Sequence, residues 1–277
     1  MLANNVIPET PPALLSYYRQ LDELVSRRLQ DLQALPFPGN PAAGEAILQL
    51  RPESPSLEEQ GFVPHEPEDL AANFLMISRV LAANAPTDPL ALALDTALAR
   101  GEFAPEFWRE SMTDLEEKLL QWAGTHQLDG DALVQLAHWA ATPRRRWAAQ
   151  HYRGALKGLV TNERRRCPIC GREADFALLN EREHGRRYLI CIHCDLSWAF
   201  KRMGCSFCDN KDFDLLSYLI PEQSPGYKIY CCDKCRGYLK TFDQREDVPR
   251  LADRHLLEYA NTLFLDLLAV NQGYLPR

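Results

Sequence analysis

The apolar residues in the first part of the chain follow the spacing of amphipathic helices. In residues 12–35 they recur every three or four positions with polar and charged residues between them, so one stripe of a long helix is buried. Further helices are predicted over residues 69–84, 89–100, 104–126 and 130–141, with a last helical block to about residue 158. Asp88-Pro89 and Thr142-Pro143 are predicted helix boundaries, because proline is favoured at a helix start and disfavoured in the interior. Residues 51–67 lack periodicity and are predicted to form a loop. Because β-branched residues are scarce, we expect no strands in this part.

The pattern changes near residue 160, where short segments typical of strands alternate with pairs of cysteines. Four such segments are predicted, at residues 176–179, 187–190, 215–220 and 227–230. Helical spacing returns between residues 247 and 270, where a C-terminal helix is expected to pack on the rest of the protein.

All nine cysteines lie between Cys167 and Cys235, and eight of them form four Cys-x-x-Cys pairs. The pairs are Cys167/Cys170, Cys191/Cys194, Cys205/Cys208 and Cys232/Cys235. Two residues between cysteines suit a tight turn that directs both sulfurs at one cation, and two such turns complete a tetrahedral site. In the first pair, Pro168 supports the turn and Gly171 tolerates the unusual dihedral angles after the second ligand. Such a turn is typical of rubredoxins and zinc ribbons.

The spacing between the pairs predicts how they combine. Twenty residues separate Cys170 from Cys191 and twenty-three separate Cys208 from Cys232, close to the usual separation in zinc ribbons. We therefore predict two sites, one from the first two pairs and one from the last two, with interleaved pairing as the alternative. A single pair also occurs in thioredoxin-like redox motifs, but four pairs in one region favour metal. Tetrahedral sulfur sites take zinc or iron, and full ligation leaves no position open for hydrolytic chemistry.

Three further residues near these pairs are candidate ligands. Cys231 precedes Cys232 and could exchange with it, but Cys232 has the regular spacing, so Cys231 is interpreted as a buried strand residue. His184 and His193 are also close in sequence, but four cysteines per site suffice. His193, inside the second pair, is predicted to be a turn residue that faces solvent.

Two runs of arginine, at residues 144–146 and 164–166, stand out from the helical pattern. The arginines could face a partner. However, charge runs usually form a solvated face or complement the dipole at a helix end, and we favour one of these two interpretations. The formal net charge of the 277-residue chain is −7, which argues against general nucleic-acid binding. The region around the cysteines is nevertheless locally basic.

The expected location is the cytoplasm. No apolar run approaches the roughly 18 uncharged residues of a membrane helix, and the first five residues lack the features of a secretory signal. Cysteines remain reduced in that compartment, so structural disulfides are not expected. Residues 1–160 show no catalytic constellation, and we predict no catalytic residue and no enzymatic activity.

The arrangement of the four pairs resembles the formate dehydrogenase accessory protein family, FdhE. The resemblance rests on Cys-Pro-Ile-Cys-Gly at 167–171, Arg-Tyr-Leu-Ile-Cys-Ile-His-Cys at 187–194 followed by Trp198, Cys-Ser-Phe-Cys at 205–208, Cys-Asp-Lys-Cys at 232–235 and Tyr-Leu-Lys at 238–240. The layout is also similar, with a long helical N-terminal part, four pairs and a short helical tail. Arg236-Gly237 departs from the family pattern, in which glycine directly follows the last cysteine. This departure bears on the local turn geometry and not on ligation.

The resemblance implies a protein that binds the catalytic subunit of respiratory, molybdenum- or tungsten-dependent formate dehydrogenases in the cytoplasm and is needed for their activity. It does not imply that the protein oxidises formate. It also implies two rubredoxin-like subdomains. Each subdomain holds one metal ion through its four paired cysteines, with iron favoured and zinc the alternative. Arg164–Arg166, Arg186, Arg187 and Arg202 are expected to contact acidic groups of the partner.

The predicted fold class is multidomain α plus small β. An all-α N-terminal helical domain is followed by two rubredoxin-like (zinc-ribbon-like) metal-binding subdomains and a short C-terminal helix. The predicted limits are residues 1–160 for the helical domain, 161–201 and 202–245 for the metal subdomains, and 246–277 for the C-terminal helix. The favoured function is a non-enzymatic maturation factor. A rubredoxin-like iron redox protein or thiol-redox factor is one alternative, and a zinc-ribbon nucleic-acid-binding module is another.

Overall fold

The structure, a computed structural model, describes residues 10–40, 42–157, 163–221, 224–246, 248–252 and 254–276. These residues form two compact units. The helical unit consists of residues 12–39 and 63–150. The sheet unit consists of the described residues within 10–11, 40–62 and 151–276. Residues near 50, which the sequence analysis assigned to the helical domain, therefore lie with the sheet.

The elements follow one another in the order of helices, strands and helices. The α-helices described are α1 (Pro12–Gln33), α2 (Ala43–Leu48), α3 (Pro67–Asn84), α4 (Pro89–Ala99), α5 (Met112–His126), α6 (Gly130–Lys157), α7 (His255–Asn261) and α8 (Leu263–Asn271). The strands described are β1 (Phe176–Asn180), β2 (Arg186–Cys191), β3 (Leu196–Phe200), β4 (Leu216–Leu219), β5 (Tyr227–Cys232) and β6 (Tyr238–Asp243). The helical unit is all α and the described strands lie in the sheet unit, which confirms the predicted fold class. No helix in the described ranges is both long and apolar enough to cross a membrane.

Side chains that cap helices decide where α4 and α5 begin. The carboxylate of Asp88 accepts hydrogen bonds from the amides at the start of α4, at 2.9 and 3.2 Å, which confirms the boundary predicted at Asp88-Pro89. The single helix predicted over residues 104–126 is instead divided into a short 3₁₀ turn, Pro105–Arg109, and α5. Ser111 accepts a hydrogen bond from the amide of Asp114 and so starts a new helix inside the predicted one.

Helix α6 continues through Pro143, so the boundary predicted at Thr142-Pro143 is wrong. Proline removes one backbone hydrogen bond and usually kinks or ends a helix. Residues 136–149 of α6 are nevertheless all buried. Packing on every side of the helix outweighs the lost hydrogen bond, because most helical stability in proteins comes from tertiary packing.

The arginine run 144–146 lies in this buried part of α6, so the predicted solvated face or helix end is wrong. Nε of Arg144 donates a hydrogen bond to the carboxylate of Asp69 at 3.0 Å. Nη1 of Arg146 lies 3.6 Å from the carboxylate of Asp22, which is completely buried. Pairing with carboxylates is what allows a guanidinium to be buried.

The six described strands join in one sheet with the order β3-β2-β1-β6-β5-β4. Strands β1–β3 form one antiparallel meander and β4–β6 form another. The two meanders meet where β1 pairs with β6 in parallel, with Ala177 opposite Thr241. The two cysteine-rich segments thus share a continuous sheet. Strands β3 and β6 were not predicted from the sequence, and each follows directly after a cysteine pair.

One face of the sheet is covered by α8. The core on this face includes Phe176, Ile229 and Phe242 of the sheet together with Leu265 and Ala269 of the helix. The predicted C-terminal helix is present as two short helices, α7 and α8.

Polar contacts also connect β6 to α8. The hydroxyl of Tyr238 donates to the carboxylate of Asp266 at 2.8 Å, and Nζ of Lys240 donates to the same carboxylate at 2.8 Å. Tyr238 and Lys240 are alternate residues of a strand, so their side chains lie on the same face. The Tyr-Leu-Lys sequence of β6 therefore anchors the C-terminal helix to the sheet.

Candidate metal centres

Each Cys-x-x-Cys pair forms a tight turn, called a knuckle below and numbered one to four along the chain. In the first, third and fourth knuckles the amide of the first cysteine donates to the carbonyl of the residue that closes the turn. These bonds join Cys167 to Arg172 at 2.8 Å, Cys205 to Asn210 at 2.9 Å and Cys232 to Gly237 at 3.0 Å. In the second knuckle, Cys191 pairs with Leu196 across the β2–β3 hairpin. All four turns close over the same span, which directs both sulfurs of a pair to one side.

The residue after the second cysteine is left-handed in every knuckle. These residues are Gly171 (φ 72°), Asp195 (φ 50°), Asp209 (φ 58°) and Arg236 (φ 59°). An arginine side chain is disfavoured in this region, whereas glycine is not. The guanidinium of Arg236 compensates with a 2.7 Å hydrogen bond to Asp233 and a position over the ring of Tyr274, 4.3 Å from its centroid. The departure from the family pattern therefore leaves the turn intact.

The first and second knuckles form the first cluster. All four sulfurs, of Cys167, Cys170, Cys191 and Cys194, lie within 4.8 Å of one another. The sulfurs of Cys170 and Cys191 are 3.7 Å apart. All four cysteines are buried, so this cluster is enclosed by the protein.

The third and fourth knuckles form the second cluster. The sulfurs of Cys205, Cys208, Cys232 and Cys235 again lie within 4.8 Å of one another. The Cys205–Cys235 and Cys208–Cys232 pairs are each separated by 3.7 Å. Cys208 and Cys235 are only half-buried, so this cluster reaches the surface. The grouping is sequential, first knuckle with second and third with fourth, and not interleaved.

The geometry of both clusters fits a tetrahedral metal ion. Metal–sulfur bonds of ~2.3 Å place the sulfurs of a tetrahedron ~3.8 Å apart. The observed separations of 3.7 Å agree with this value, whereas a disulfide bond needs a separation of ~2.05 Å. A set of four sulfur donors suits zinc or iron. The eight paired cysteines therefore form two sites into which such ions fit.

Burial makes a thiolate unfavourable in these clusters unless a cation is present. It raises the pKa of Cys191 and of Cys194 well above the ordinary value. Burial also acts against the thiolate of Cys232, but hydrogen bonds from the amides of Cys235 and Lys234 outweigh it and the pKa of Cys232 is lowered. Because metal ligation requires thiolates, a metal ion that binds here would displace protons.

A segment that is distant in sequence covers the first knuckle. The amide of Leu57 donates to the carbonyl of Pro168, and the amide of Glu58 donates to that of Ile169, both at 2.9 Å. These hydrogen bonds hold the two residues between the cysteines of the first knuckle in place. The sequence does not predict this contact, because the loop around Leu57 carries no periodic pattern.

Arg164 is buried in the same region, so a solvated face is the wrong interpretation for the first residue of the second arginine run. Its Nη1 donates to the carbonyls of Arg51 and Ser54 at 2.8 and 2.9 Å. Its own carbonyl accepts a hydrogen bond from Nε1 of Trp198 at 2.8 Å. The two arginines that follow it are exposed. Arg187 is buried as well. Neither Arg187 nor Arg164 is therefore exposed for contact with a partner, contrary to the expectation.

The three remaining candidate ligands lie outside both clusters. Cys231 is a buried residue of β5, in agreement with its interpretation, and burial raises the pKa of its thiol to about 12. His193 is completely buried, so the prediction that it faces solvent is wrong. The whole second knuckle is enclosed, which takes the residues between its cysteines out of water. His184 is exposed, in a turn between β1 and β2.

Asp175 positions the second knuckle and was missed by the sequence analysis. Its Oδ2 accepts a 3.0 Å hydrogen bond from the amide of Ile192, which lies between the two cysteines of that knuckle. Burial raises the pKa of Asp175 to about 6, against the lowering effect of the Arg172 charge. A single aspartate after the first knuckle has no diagnostic spacing, so only the fold identifies its role.

The sheet unit, with two four-cysteine clusters mounted on one sheet, defines a protein with two tetracysteine centres of the ribbon type. Within it, residues 166–202 match the family model described as "FdhE, central domain". The chain is 33% identical over 111 residues to a "Protein FdhE homolog" of Aquifex aeolicus, an alignment that covers 39% of this chain and 38% of the relative. It is 38% identical over 111 residues to a homolog of the same name from Stutzerimonas stutzeri, covering 39% of this chain and 35% of the relative.

A solved structure is similar over almost the whole chain. It is described as the crystal structure of the FdhE protein from Pseudomonas aeruginosa, with a TM-score of 0.54 and 25% sequence identity, and the match covers 98% of this chain and 96% of that chain. These matches confirm the resemblance to the FdhE family. The sequence alignments span little more than a third of the length of the two curated relatives.

Proposed function

We propose that the protein is an accessory protein of formate dehydrogenase. It binds the catalytic subunit of that enzyme in the cytoplasm and is required for its activity, without catalysing a reaction itself. The observation that carries the proposal is the presence of two four-cysteine clusters, in the order and spacing of the FdhE family, on one sheet. Neither cluster would have a position open for a substrate once a metal is bound, which supports a binding role.

The clusters are proposed to hold one structural metal ion each. The proposed ligands are Cys167, Cys170, Cys191 and Cys194 for the first ion, and Cys205, Cys208, Cys232 and Cys235 for the second. A bound ion fixes two turns at once and contributes its binding free energy to the folding of the sheet unit. Iron is the metal that the family resemblance favours, and zinc suits the same donors.

A rubredoxin-like redox role is the second candidate function. The observation that favours it is the half-buried state of Cys208 and Cys235, which brings the second cluster close to the surface, where a redox partner could approach. This role requires iron, because zinc does not change its oxidation state. The enclosed first cluster has no comparable access.

Affinity purification from cells grown to induce formate dehydrogenase tests the proposal, with mass spectrometry and metal analysis of the product. We expect the catalytic subunit to co-purify with the intact protein and each chain to carry two metal ions. A purification that yields no catalytic subunit contradicts the accessory role. The double variant Cys205→Ser/Cys208→Ser separates the two functions. A structural centre predicts that the variant no longer binds the subunit, whereas a redox centre predicts binding without dehydrogenase activity.

A further inference from the structure

The chain reverses its direction directly after α8. Gly273 is left-handed, with φ 80°, and its amide donates to the carbonyl of Val270 at 2.8 Å. The amide of Tyr274 donates to the carbonyl of Ala269 at 3.1 Å. These two hydrogen bonds form a Schellman motif, in which a left-handed glycine ends a helix and sets the direction of the chain that follows. The path of residues 272–275, called the clamp segment below, is therefore fixed by α8.

The clamp segment is anchored in the core between α8 and the sheet. The ring of Tyr274 belongs to the same core as Leu265 and Ala269 of α8 and Tyr238 of β6, and Tyr274 is only 8% exposed. None of these residues is a proposed metal ligand. The core thus keeps the clamp segment beside the start of β6, where the fourth knuckle ends.

The backbone of the clamp segment holds the residue that follows Cys235. Nε and Nη2 of Arg236 donate to the carbonyl of Gly273 at 3.2 and 3.0 Å, and Nη2 also donates to the carbonyl of Gln272 at 3.2 Å. The carbonyl of Arg236 accepts a hydrogen bond from the amide of Leu275 at 2.7 Å. Both the side chain and the main chain of Arg236 are therefore bound to the clamp segment.

Tyr274 extends the contact to the interior of the fourth knuckle. Its hydroxyl donates to the carboxylate of Asp233 at 2.9 Å, and Asp233 lies between Cys232 and Cys235. The same carboxylate accepts a 2.7 Å hydrogen bond from Nη1 of Arg236, whose guanidinium lies over the ring of Tyr274. The clamp segment thus contacts the turn on both sides of Cys235.

The fourth knuckle needs such support more than an enclosed turn does. Cys235 is only half-buried, and Arg236 has φ 59°, a conformation that an arginine adopts less readily than glycine. Contacts that already hold a turn in its ligating conformation reduce the conformational entropy that is lost when an ion binds. Groups that orient the ligands of a metal in this way raise the affinity of the site.

We propose that the clamp segment and the second metal ion stabilise the same turn, so that each is held more tightly when the other is in place. Arg236 is the positioning residue of this arrangement and not a ligand. The coupling is reciprocal, because the factor by which the segment raises the affinity for the ion equals the factor by which the ion favours docking of the segment. The inference goes beyond the accessory function but rests on the metal ions proposed above.

Competition between the zinc-loaded full-length protein and a chelator of known affinity tests the inference. Arg236→Asn removes the guanidinium, and asparagine tolerates the left-handed conformation. This variant is expected to bind the second zinc ion about tenfold more weakly, as is typical when a group that orients a ligand is lost. The first zinc ion should be bound as in the wild type. The Cys205→Ser/Cys208→Ser variant, which keeps only the first site, shows which step of the titration belongs to which ion.

Lys211→Asn is the matched control, because it removes the same charge beside the same cluster. Lys211 follows the third knuckle, and its side chain is 72% exposed and lies 3.8 Å from Asp209. It should bind both zinc ions as the wild type does, since exposed ion pairs contribute little. Equal weakening by Lys211→Asn and Arg236→Asn would overturn the inference, because loss of charge would then explain the effect.

The remaining outcomes separate the clamp from the metal centres themselves. Two zinc ions bound by Arg236→Asn at wild-type affinity overturn the inference and leave the centres standing, whereas a wild type that binds no zinc overturns both. If Arg236→Asn does not fold, Tyr274→Phe takes its place, because it removes only the hydroxyl that binds Asp233. It is expected to weaken the second site in the same direction.

Hydrogen exchange tests the reciprocal effect. The Cys205→Ser/Cys208→Ser variant empties the second site by changes in the third knuckle, whereas the clamp segment contacts the fourth. The amide of Leu275 is expected to exchange about tenfold faster in this variant than in the zinc-loaded wild type, since the coupling acts equally in both directions. The amides inside α8 should keep their protection. Unchanged exchange at Leu275 with the second site empty would overturn the inference.

Discussion

The left-handed position after each knuckle shows how neighbouring contacts decide which residue a turn accepts. At Gly171 a Cβ atom would lie 3.1 Å from Oγ of Ser56 and 3.1 Å from a carboxylate oxygen of Glu59, because the loop that covers the first knuckle packs directly on it. At the fourth knuckle an arginine is accepted at the same position, since Arg236 lies near the surface and its side chain finds partners there. Of these two knuckles, only the first requires glycine for packing as well as for the positive φ.

Replacement of Gly171 by alanine is expected to lower the free energy of unfolding of the sheet unit by about 1–2 kcal/mol, since φ is 72° and the Cβ atom crowds the covering loop. Urea denaturation followed by tryptophan fluorescence measures the loss. Gly61→Ala is the matched control, because Gly61 has φ 77° with nothing within 4 Å of a Cβ atom. A smaller loss is expected there. Equal losses in the two variants would show that the contact with Ser56 and Glu59 has no effect.

The buried ion pair of the helical unit leads to a second prediction. Asp22→Asn leaves the guanidinium of Arg146 buried beside a neutral group, so a loss of about 3–5 kcal/mol is expected in thermal or chemical unfolding. The control is Glu23→Gln, which removes an exposed pair with Arg27 and is expected to cost less than about 1 kcal/mol. Similar losses in the two variants would mean that Asp22 does not stabilise Arg146.

At the scale of elements, periodicity predicted the long helices because each presents one apolar stripe to a core. The start and end of α1 and the start of α4 follow from that pattern and from proline and aspartate signals. Prediction failed where packing overrides local preference, as in α6, whose buried middle continues through Pro143. It also failed for β3 and β6, which follow directly after cysteine pairs and are held as strands by the strands beside them.

The two clusters differ in exposure, so they are expected to differ in how fast they lose metal. A chelator should remove the ion of the second cluster first, because Cys208 and Cys235 are half-buried whereas the first cluster is enclosed. Release should therefore occur in two phases when free metal is measured with a colorimetric chelator. In the Cys205→Ser/Cys208→Ser variant the fast phase should be absent. Release of metal from the wild type in a single phase would contradict the prediction that the second cluster loses its ion first.

Loss of the first metal site is expected to loosen the sheet unit and spare the helical unit. In the double variant Cys167→Ser/Cys170→Ser, limited proteolysis should cut within residues 163–200, because a small sheet depends on metal for part of its folding free energy. The pairing of β1 with β6 should carry the loosening into β6. The segment of the helical unit from residue 63 to 150 should keep its protection. An unchanged cleavage pattern around the first cluster would contradict a structural role of the metal.

For the whole molecule, the cysteine spacing predicted which residues come together. A Cys-x-x-Cys turn is a local structure, so its geometry is determined by its own few residues. The surroundings of the clusters were not predictable in the same way. The loop at Leu57 and the carboxylate of Asp175 reach the knuckles through tertiary folding, and the parallel pairing of β1 with β6 joins segments more than sixty residues apart.

This protein, with both metal centres in place, is proposed to be needed to make formate dehydrogenase active. The most direct measurement is formate dehydrogenase activity in a strain that lacks the protein, with and without complementation. We expect activity to be lost in that strain, to return with the wild-type protein, and to stay absent with the Cys167→Ser/Cys170→Ser variant at equal expression. Full dehydrogenase activity in the strain that lacks the protein would contradict the account.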